Sequence, residues 1–353
     1  MGTTFAQDKN TSLMETLAFV TAPYEYILTG PSLQALGHFV SAASGPDGVI
    51  YLSFGLRGLH PGVYIYHKGL VRPLAGTDRI GFRDGPAEMA MFHPHGRGYD
   101  YLGLGVDQQT GAIYVADPGN RRIRKIDKDA HGRWMVTTIA GGGTKSLEAG
   151  RMVPARDLDL GNVIAVTVDA KGDIYTSPSG SLVRIDADGM AERIDFPKDG
   201  YPAFQNVVGM DADRVGNVYG VTRGRINGYF RYNTKTGKFH RLTYKNFRDN
   251  GATVDGPLQS ATFFAPTQVA AAPDGSAIYG VGGDEGCLRR IKEGRVATLQ
   301  KDGTWKEVNR RCQFSSNPDQ WNLGAAFAVD PDGNVLLGPS QFRGNPLRRL
   351  KIK

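Results

Sequence analysis

Short apolar runs alternate with turns along the chain, and one stretch shows the pattern most clearly. Gly103 to Ile126 reads GLGVDQQTGAIYVADPGNRRIRKI. Leu104 and Val106 alternate toward a turn that ends at Gly111. Ile113-Tyr114-Val115 follows, and Asp117-Pro118-Gly119-Asn120 turns into Arg122-Ile123-Arg124-Lys125-Ile126. Period-two runs bounded by Gly, Pro, Asp and Asn predict three short antiparallel strands. Asp117 and Asn120 read as turn makers. Alternation in the third strand is expected to put its basic side chains on a solvated face while the isoleucines pack. A sheet this small cannot bury its own faces, so the unit should recur.

It does recur. A turn glycine followed by an apolar run stands at Gly48, Gly111, Gly172, Gly216, Gly275 and Gly333, with spacings of 44 to 63 residues. Most of these exceed the ~40–50 residues of a compact propeller blade, which assigns the excess to loops. A second marker, DGPxxxAxF, runs from Asp84 to Phe92 and again from Asp255 to Phe263, each shortly before a repeat's first strand. The expectation is an all-β chain: a β-propeller of four-stranded antiparallel blades. The motif count suggests six blades, with seven as the alternative. Leu17-Ala18-Phe19-Val20 and Tyr24-Glu25-Tyr26-Ile27-Leu28 read as strands ahead of the first repeat. An N-terminal strand pairing with the last sheet would close the ring and remove its open edge. Residues 12–353 then form one domain behind a residual signal or disordered segment, 1–11.

AIYVADPGNRRIRKI, the two DGPxxxAxF boxes, Leu74-Ala75-Gly76 and Ile139-Ala140-Gly141-Gly142 resemble NHL-repeat β-propellers. The resemblance is specific in the second and fifth repeats. It is partial elsewhere: the third repeat, IYTSPSGSLVRID, and the fourth, VYGVTRGRINGYFRY, lack the Asp-x-x-Asn turn. It implies a ring of four-stranded blades. In size and repeat layout the chain is also similar to the haem-free propeller subunit of hydrazine synthase. That similarity implies a multihaem redox complex of nitrogen metabolism in which other subunits carry the chemistry.

Composition adds limits. The 353 residues include 47 Gly and 19 Pro, which favours tight turns over long helices. No apolar window approaches the ~18 residues of a membrane-spanning helix. A net charge of +7 suits acidic partners without specifying nucleic acid. Thr4-Phe5-Ala6 before Gln7 resembles the end of a secretory cleavage site. The expectation is export, to the periplasm or an equivalent internal compartment, with a frayed cytosolic terminus as the alternative. Cys287 and Cys312 are either one disulfide or two separate thiols.

Candidate chemistry concentrates just before the second repeat, in His93-Pro94-His95-Gly96-Arg97-Gly98-Tyr99-Asp100-Tyr101. His93 and His95, with Asp100 and with His38 from a neighbouring repeat, are candidate ligands for a transition metal. Some propeller lyases take zinc from histidines on several blades. Here Pro94-His95 fits such a pattern, but Pro266-Thr267 and Trp321-Asn322 do not. The alternative is that these histidines cap loops. Asp211-Ala212-Asp213, Asp186-Ala187-Asp188-Gly189 and Asp330-Pro331-Asp332-Gly333-Asn334 are oxygen-rich and leave room for one structural calcium. None has the closing Glu of a twelve-residue calcium loop, and each falls where a turn needs Asp and Gly. There is no nucleophile elbow, Walker-type phosphate loop or CxxCH haem attachment, so no cofactor is expected to be bound covalently.

Two loop stretches look suited to partners: Lys245-Asn246-Phe247-Arg248-Asp249, and the interruption of the first repeat that carries Phe54, Arg57 and His60. An aromatic anchor beside Arg is a common contact device. The leading expectation is a non-catalytic scaffold subunit of an exported multi-subunit complex, bound to other protein subunits, haem-containing ones among them. A metal-dependent propeller lyase or hydrolase using His93, His95 and Asp100 is the alternative. RNA binding through the basic strand clusters ranks third, because no aromatic-basic stacking run accompanies them.

Overall fold

The computed structural model describes residues 14–18, 39–54, 61–67, 70–96, 99–100, 102–178, 180–197, 207–222, 228–243, 254–263, 266–282, 288–300, 304–308, 327–337 and 347–351. Among them the only helical elements are two short 3-10 turns, Ala87–Met89 and Ala155–Asp157. The rest of the regular structure is antiparallel sheet.

Five sheets are each cut from one run of chain. The first is Phe39–Ser44, Ile50–Phe54, Val63–His67 and Leu70–Ala75. The second is Gly103–Val106, Ile113–Asp117, Arg122–Lys128 and Trp134–Gly141, with Gly85–Pro86 outermost. The third is Val166–Val168, Ile174–Thr176, Leu182–Ile185 and Met190–Ile194, with Val153–Pro154 outermost. The fourth is Val207–Ala212, Asn217–Thr222, Gly228–Asn233 and Lys238–Arg241. The fifth is Pro266–Ala271, Ala277–Gly282, Leu288–Lys292 and Arg295–Leu299. Gly256–Pro257 and Trp305–Lys306 both pair with its last strand.

A sixth sheet brings distant parts of the chain together. Phe327–Val329, Val335–Leu337 and Leu347–Leu350 form three of its strands, and Met14–Ala18 is the fourth, with Met14 opposite Leu350. No seventh sheet of this size occurs among the described residues. The remaining pair is the short ladder His95–Gly96 with Tyr99–Asp100. The first strand named in each sheet is the innermost. These inner strands touch in succession, and Phe327–Val329 also touches Phe39–Ser44.

The local chemistry explains the repeat markers. All six turn glycines have φ between 70° and 105°, a region closed to most side chains. The inner strands approach so closely that a Cβ on Gly103 or Gly105 would collide with backbone at Ile164 or Thr167 of the next sheet. That is why the GLGV run alternates glycine with apolar residues.

The four-stranded expectation is corrected at three sheets. There a two-residue strand pairs onto the outer edge. In the second and fifth sheets that strand is the Gly-Pro of the DGPxxxAxF box. Proline is tolerated on an edge because no ladder hydrogen bond is asked of it.

The expectation of a solvated basic face is also corrected. Arg124 is fully buried, and all five of its N–H donors are used. Nε and Nη2 donate to Asp84, at 2.9 and 2.5 Å, and Nη1 to Asp117 at 2.9 Å. Nη1 and Nη2 also donate to the Met91 and Arg83 carbonyls. The guanidinium lies between the rings of Phe82 and Phe92. Arg289 repeats the arrangement: it donates to Asp255 and to the Thr262 and Val254 carbonyls, over the Phe263 ring. The Asp and the Phe of each DGPxxxAxF box are thus the two walls of an arginine socket. In the third sheet the strand register puts Val183 where Arg124 stands. Met152 and Leu160 stand in place of the Asp and Phe; Val183 and Leu160 are buried in one cluster, while Met152 is exposed.

Removing one partner of a buried pair strands the other, at a cost of about 3–5 kcal/mol. Arg289→Ala should lower unfolding stability by that order. The double change Asp255→Met with Arg289→Val should cost less than the sum of its single changes, measured by urea denaturation.

Candidate functional site

The main cavity lies on the axis, between the inner strands of all six sheets. It holds about 70 Å³, room for several waters. Its walls are mixed: Ser41, Ser44, Thr167 and Gln268 line it beside Val166, Val168, Val269 and Val329. Charged side chains on it are few: Asp211, Arg214 and Asp330.

Each inner strand ends in a turn closed by the same backbone bond. The N–H groups of Gly45, Asp107, Asp169, Asp213, Ala272 and Asp330 donate to Val49, Ala112, Asp173, Asn217, Ala277 and Asn334 carbonyls. In four of the six turns the first residue is an Asp whose Oδ1 accepts turn N–H groups. Asp213, for instance, accepts from Val215, Gly216 and Asn217 at 2.8–3.0 Å. Asp186 holds an outer turn the same way. In the segments picked out as calcium candidates, Asp186, Asp211, Asp213 and Asp330 each accept backbone N–H groups.

The second oxygen of these carboxylates differs between turns. Asp107 Oδ2 accepts from Thr110, Asp213 Oδ2 from Asn217 and Tyr219, and Asp330 Oδ2 from Asn334. In the third sheet the residue at the Asn position is Asp173, which pairs with Arg184 at 3.1 Å. Asp169 Oδ2 is then buried with no hydrogen-bond partner among the described residues. Burial pushes the Asp169 carboxyl up and the Asp173 charge adds to this, against the N–H bonds from Lys171 and Asp173.

Asp211 sits two residues before its turn. The equivalent positions in the other sheets are Ala43, Gly105, Thr167, Ala270 and Ala328. Only Asp211 is charged, and it reaches across the seam to the next sheet. Its Oδ2 accepts the Ala271 N–H at 2.8 Å and its Oδ1 accepts the Ala212 N–H at 2.9 Å. Burial pushes its carboxyl up to about 7; the two N–H bonds oppose the shift and Asp213 adds to it. Other side chains also bridge seams. Ser41 accepts the Leu104 N–H, and Gln108 and Gln109 donate to the Ser44 and Ala170 carbonyls. Sequence reasoning took Asp211 only as part of an Asp-x-Asp turn. The signal it missed was a charge at a position that is otherwise small.

The histidine insertion is placed as follows. His93 N–H donates to Asp117 at 2.8 Å, and its carbonyl accepts the Gly119 N–H. Its ring lies against Gly119, where a Cβ would overlap it. Asp117 is fully buried and also accepts from Asn120 and Arg124, so it is more than a turn maker. Burial pushes its carboxyl up, while Asn120, the His93 N–H and Arg124 pull it back. His95 and Asp100 are directly opposite in the two-stranded ladder. No group of three metal-ligating side chains occurs among the described residues, whose side chains at His95 and Asp100 are not included. Phe54 ends the second strand of the first sheet. Arg57, His60, Lys245, Asn246, Phe247, Arg248, Asp249, His38, Cys287 and Cys312 lie outside the described residues. No helix among the described residues is long and apolar enough to cross a membrane.

Sheets stacked around an axis with an innermost strand from each define the class: the fold is a β-propeller. It is similar to a solved streptogramin B lyase, with TM-score 0.50 and 14% identity over 96% of this chain and 97% of the other. It is similar to a protein described as a gluconolactonase candidate, with TM-score 0.52 and 13% identity over 96% and 91%. A third similar structure is the extracellular domain of a hybrid two-component system from B. thetaiotaomicron. Its TM-score is 0.50 and its identity 10%, over 97% of this chain and 40% of that one. At these identities the likeness is one of fold. No protein-family model matches the sequence. No curated protein matches it either.

Asp173→Asn should give Asp169 Oδ2 the amide donor that Asn217 and Asn334 supply elsewhere. Relieving a buried unpaired oxygen is worth about 1–3 kcal/mol, and the partly exposed pair with Arg184, which also holds Glu192, about 0–1. The variant should therefore unfold at higher temperature at neutral pH; an unchanged or lower midpoint would contradict this. Asp211 makes a separate, pH-dependent prediction. Its folded-state value is above the unfolded carboxyl's, so its contribution is full below about pH 4 and lost as pH rises through about 7. Asp211→Asn should flatten that fall, on the order of 2 kcal/mol, in unfolding curves taken from pH 4 to 8.

Proposed function

We propose that the protein is a non-catalytic interaction subunit, a closed ring of six blades whose loops dock onto other proteins of an exported complex. In this reading the sheet that pairs Met14–Ala18 with Leu347–Leu350 serves as the sixth blade and the latch. The observation that carries this reading is the fixing of the frame. Arginine sockets hold outer layers, turn carboxylates hold the inner-strand ends, and side chains bridge the seams. Such a frame presents its connections from fixed points, as binding loops require. The connection carrying Lys245, Asn246, Phe247, Arg248 and Asp249 combines an aromatic anchor with charge. That carrying Phe54, Arg57 and His60 is the second contact. Haem-bearing partners, of the kind the hydrazine-synthase similarity implies, are one instance of this role.

Purification from the native source tests it. The chain should travel in a stable complex, and Phe247→Ala with Arg248→Ala should weaken that association at least tenfold without altering the unfolding midpoint. A chain that purifies alone, or an association indifferent to both loops, sinks the proposal.

A second reading is favoured by one observation, the register that sets His95 opposite Asp100, two residues beyond His93. In it these three residues hold a transition metal for a lyase or hydrolase, and the lyase and lactonase names of the similar propellers accord with this. Stoichiometric zinc or copper that is lost on His95→Ala would favour this reading over a scaffold alone.

A further inference from the structure

A carboxylate on a cavity wall must be neutralised by something. Both Asp211 oxygens accept one backbone N–H, from Ala212 and Ala271. A carboxylate can accept about four hydrogen bonds, so two positions are left on Asp211. No ion pair to Asp211 occurs among the described residues.

The surrounding elements add no compensating charge at that level. On its own strand and turn, Asp213 adds negative charge. Arg214 reaches away to Gln108, at 3.4 Å. The two inner strands packed against it, Val166–Val168 and Pro266–Ala271, bring only uncharged side chains to the cavity, Thr167 and Gln268 being the polar ones. Across the cavity, Asp330 is engaged with Asn334.

We propose that the axial cavity binds a small primary-ammonium cation, of methylammonium size, on Asp211. The charge and the free acceptor positions of Asp211 point to this class. One carboxylate matches one positive charge, whereas calcium takes six to eight oxygen ligands. A cavity of about 70 Å³ has room for a cation of this size. The N–H donors of a primary ammonium meet the free positions on Asp211, and its single short alkyl group adds little bulk. The raised Asp211 value supports this, because it marks a carboxylate without a compensating cation. The site goes beyond the docking role proposed above and does not depend on it.

The test is calorimetric titration of the full chain with methylammonium chloride at constant ionic strength. Sodium chloride and tetramethylammonium chloride, which has no N–H, are the controls. Saturable binding is expected for methylammonium alone at pH 8. It should weaken about tenfold at pH 6, where a proton occupies Asp211, and disappear in Asp211→Asn. Absence of saturable binding at pH 8 overturns the proposal and leaves the proton as the neutralising partner. Equal binding of the two controls, or binding retained in a folded Asp211→Asn, also overturns it. If that variant does not fold, the wild type decides. Methylammonium should move the Asp211 carboxyl titration, followed by carbon-13 NMR, to lower pH, and an unmoved titration overturns the proposal.

Discussion

Six inner strands must approach one another around an axis where little volume is available. That constraint selects Gly103 and Gly105, whose missing Cβ atoms let the second sheet come up against the third. It also keeps Ala43, Ala270 and Ala328 small. A side chain with a charge at such a point, as at Asp211, must find partners across the seam, and Asp211 does so with the Ala271 N–H. Packing at the axis therefore sets both the shape of the cavity and how Asp211 is held upon it.

Away from the axis the sheets solve one packing problem in two ways. The second and fifth bury an arginine in a socket of carboxylate, carbonyl oxygens and aromatic ring. The third fills the same layer with Val183 and Leu160. Buried pairs of this kind often add little net stability compared with an apolar replacement. What the socket adds is direction: five donors accept only one arrangement of the outer strand, the Asp and the carbonyls. An apolar layer tolerates more arrangements.

Much of the fold was legible in the chain. The turn glycines could be found because positive φ is a backbone demand that few residues meet, and the DGPxxxAxF boxes because their spacing recurs. Their purpose was not legible. Arg124 lies between Ile123 and Lys125 in a run that reads as a solvated edge, and period-two alternation alone does not reveal a cap. Asp84, which lies 40 residues earlier, provides that cap. Asp211 was hidden differently, inside an Asp-x-Asp turn whose second carboxylate does the turn's work. The histidine insertion could be seen, and the register places His95 against Asp100. The seat of His93 on Gly119 depends on a contact between two turns that sequence spacing does not encode.

The pairing of Met14–Ala18 with Leu347–Leu350 has a consequence for how the molecule is made. Met14–Ala18 finds its partner only when Leu347–Leu350 has been made. Five sheets can assemble locally while the sixth waits for the most distant contact in the chain, the kind that slows folding. Until then the last sheet lacks its outer strand and carries an exposed edge, open to a strand from another copy.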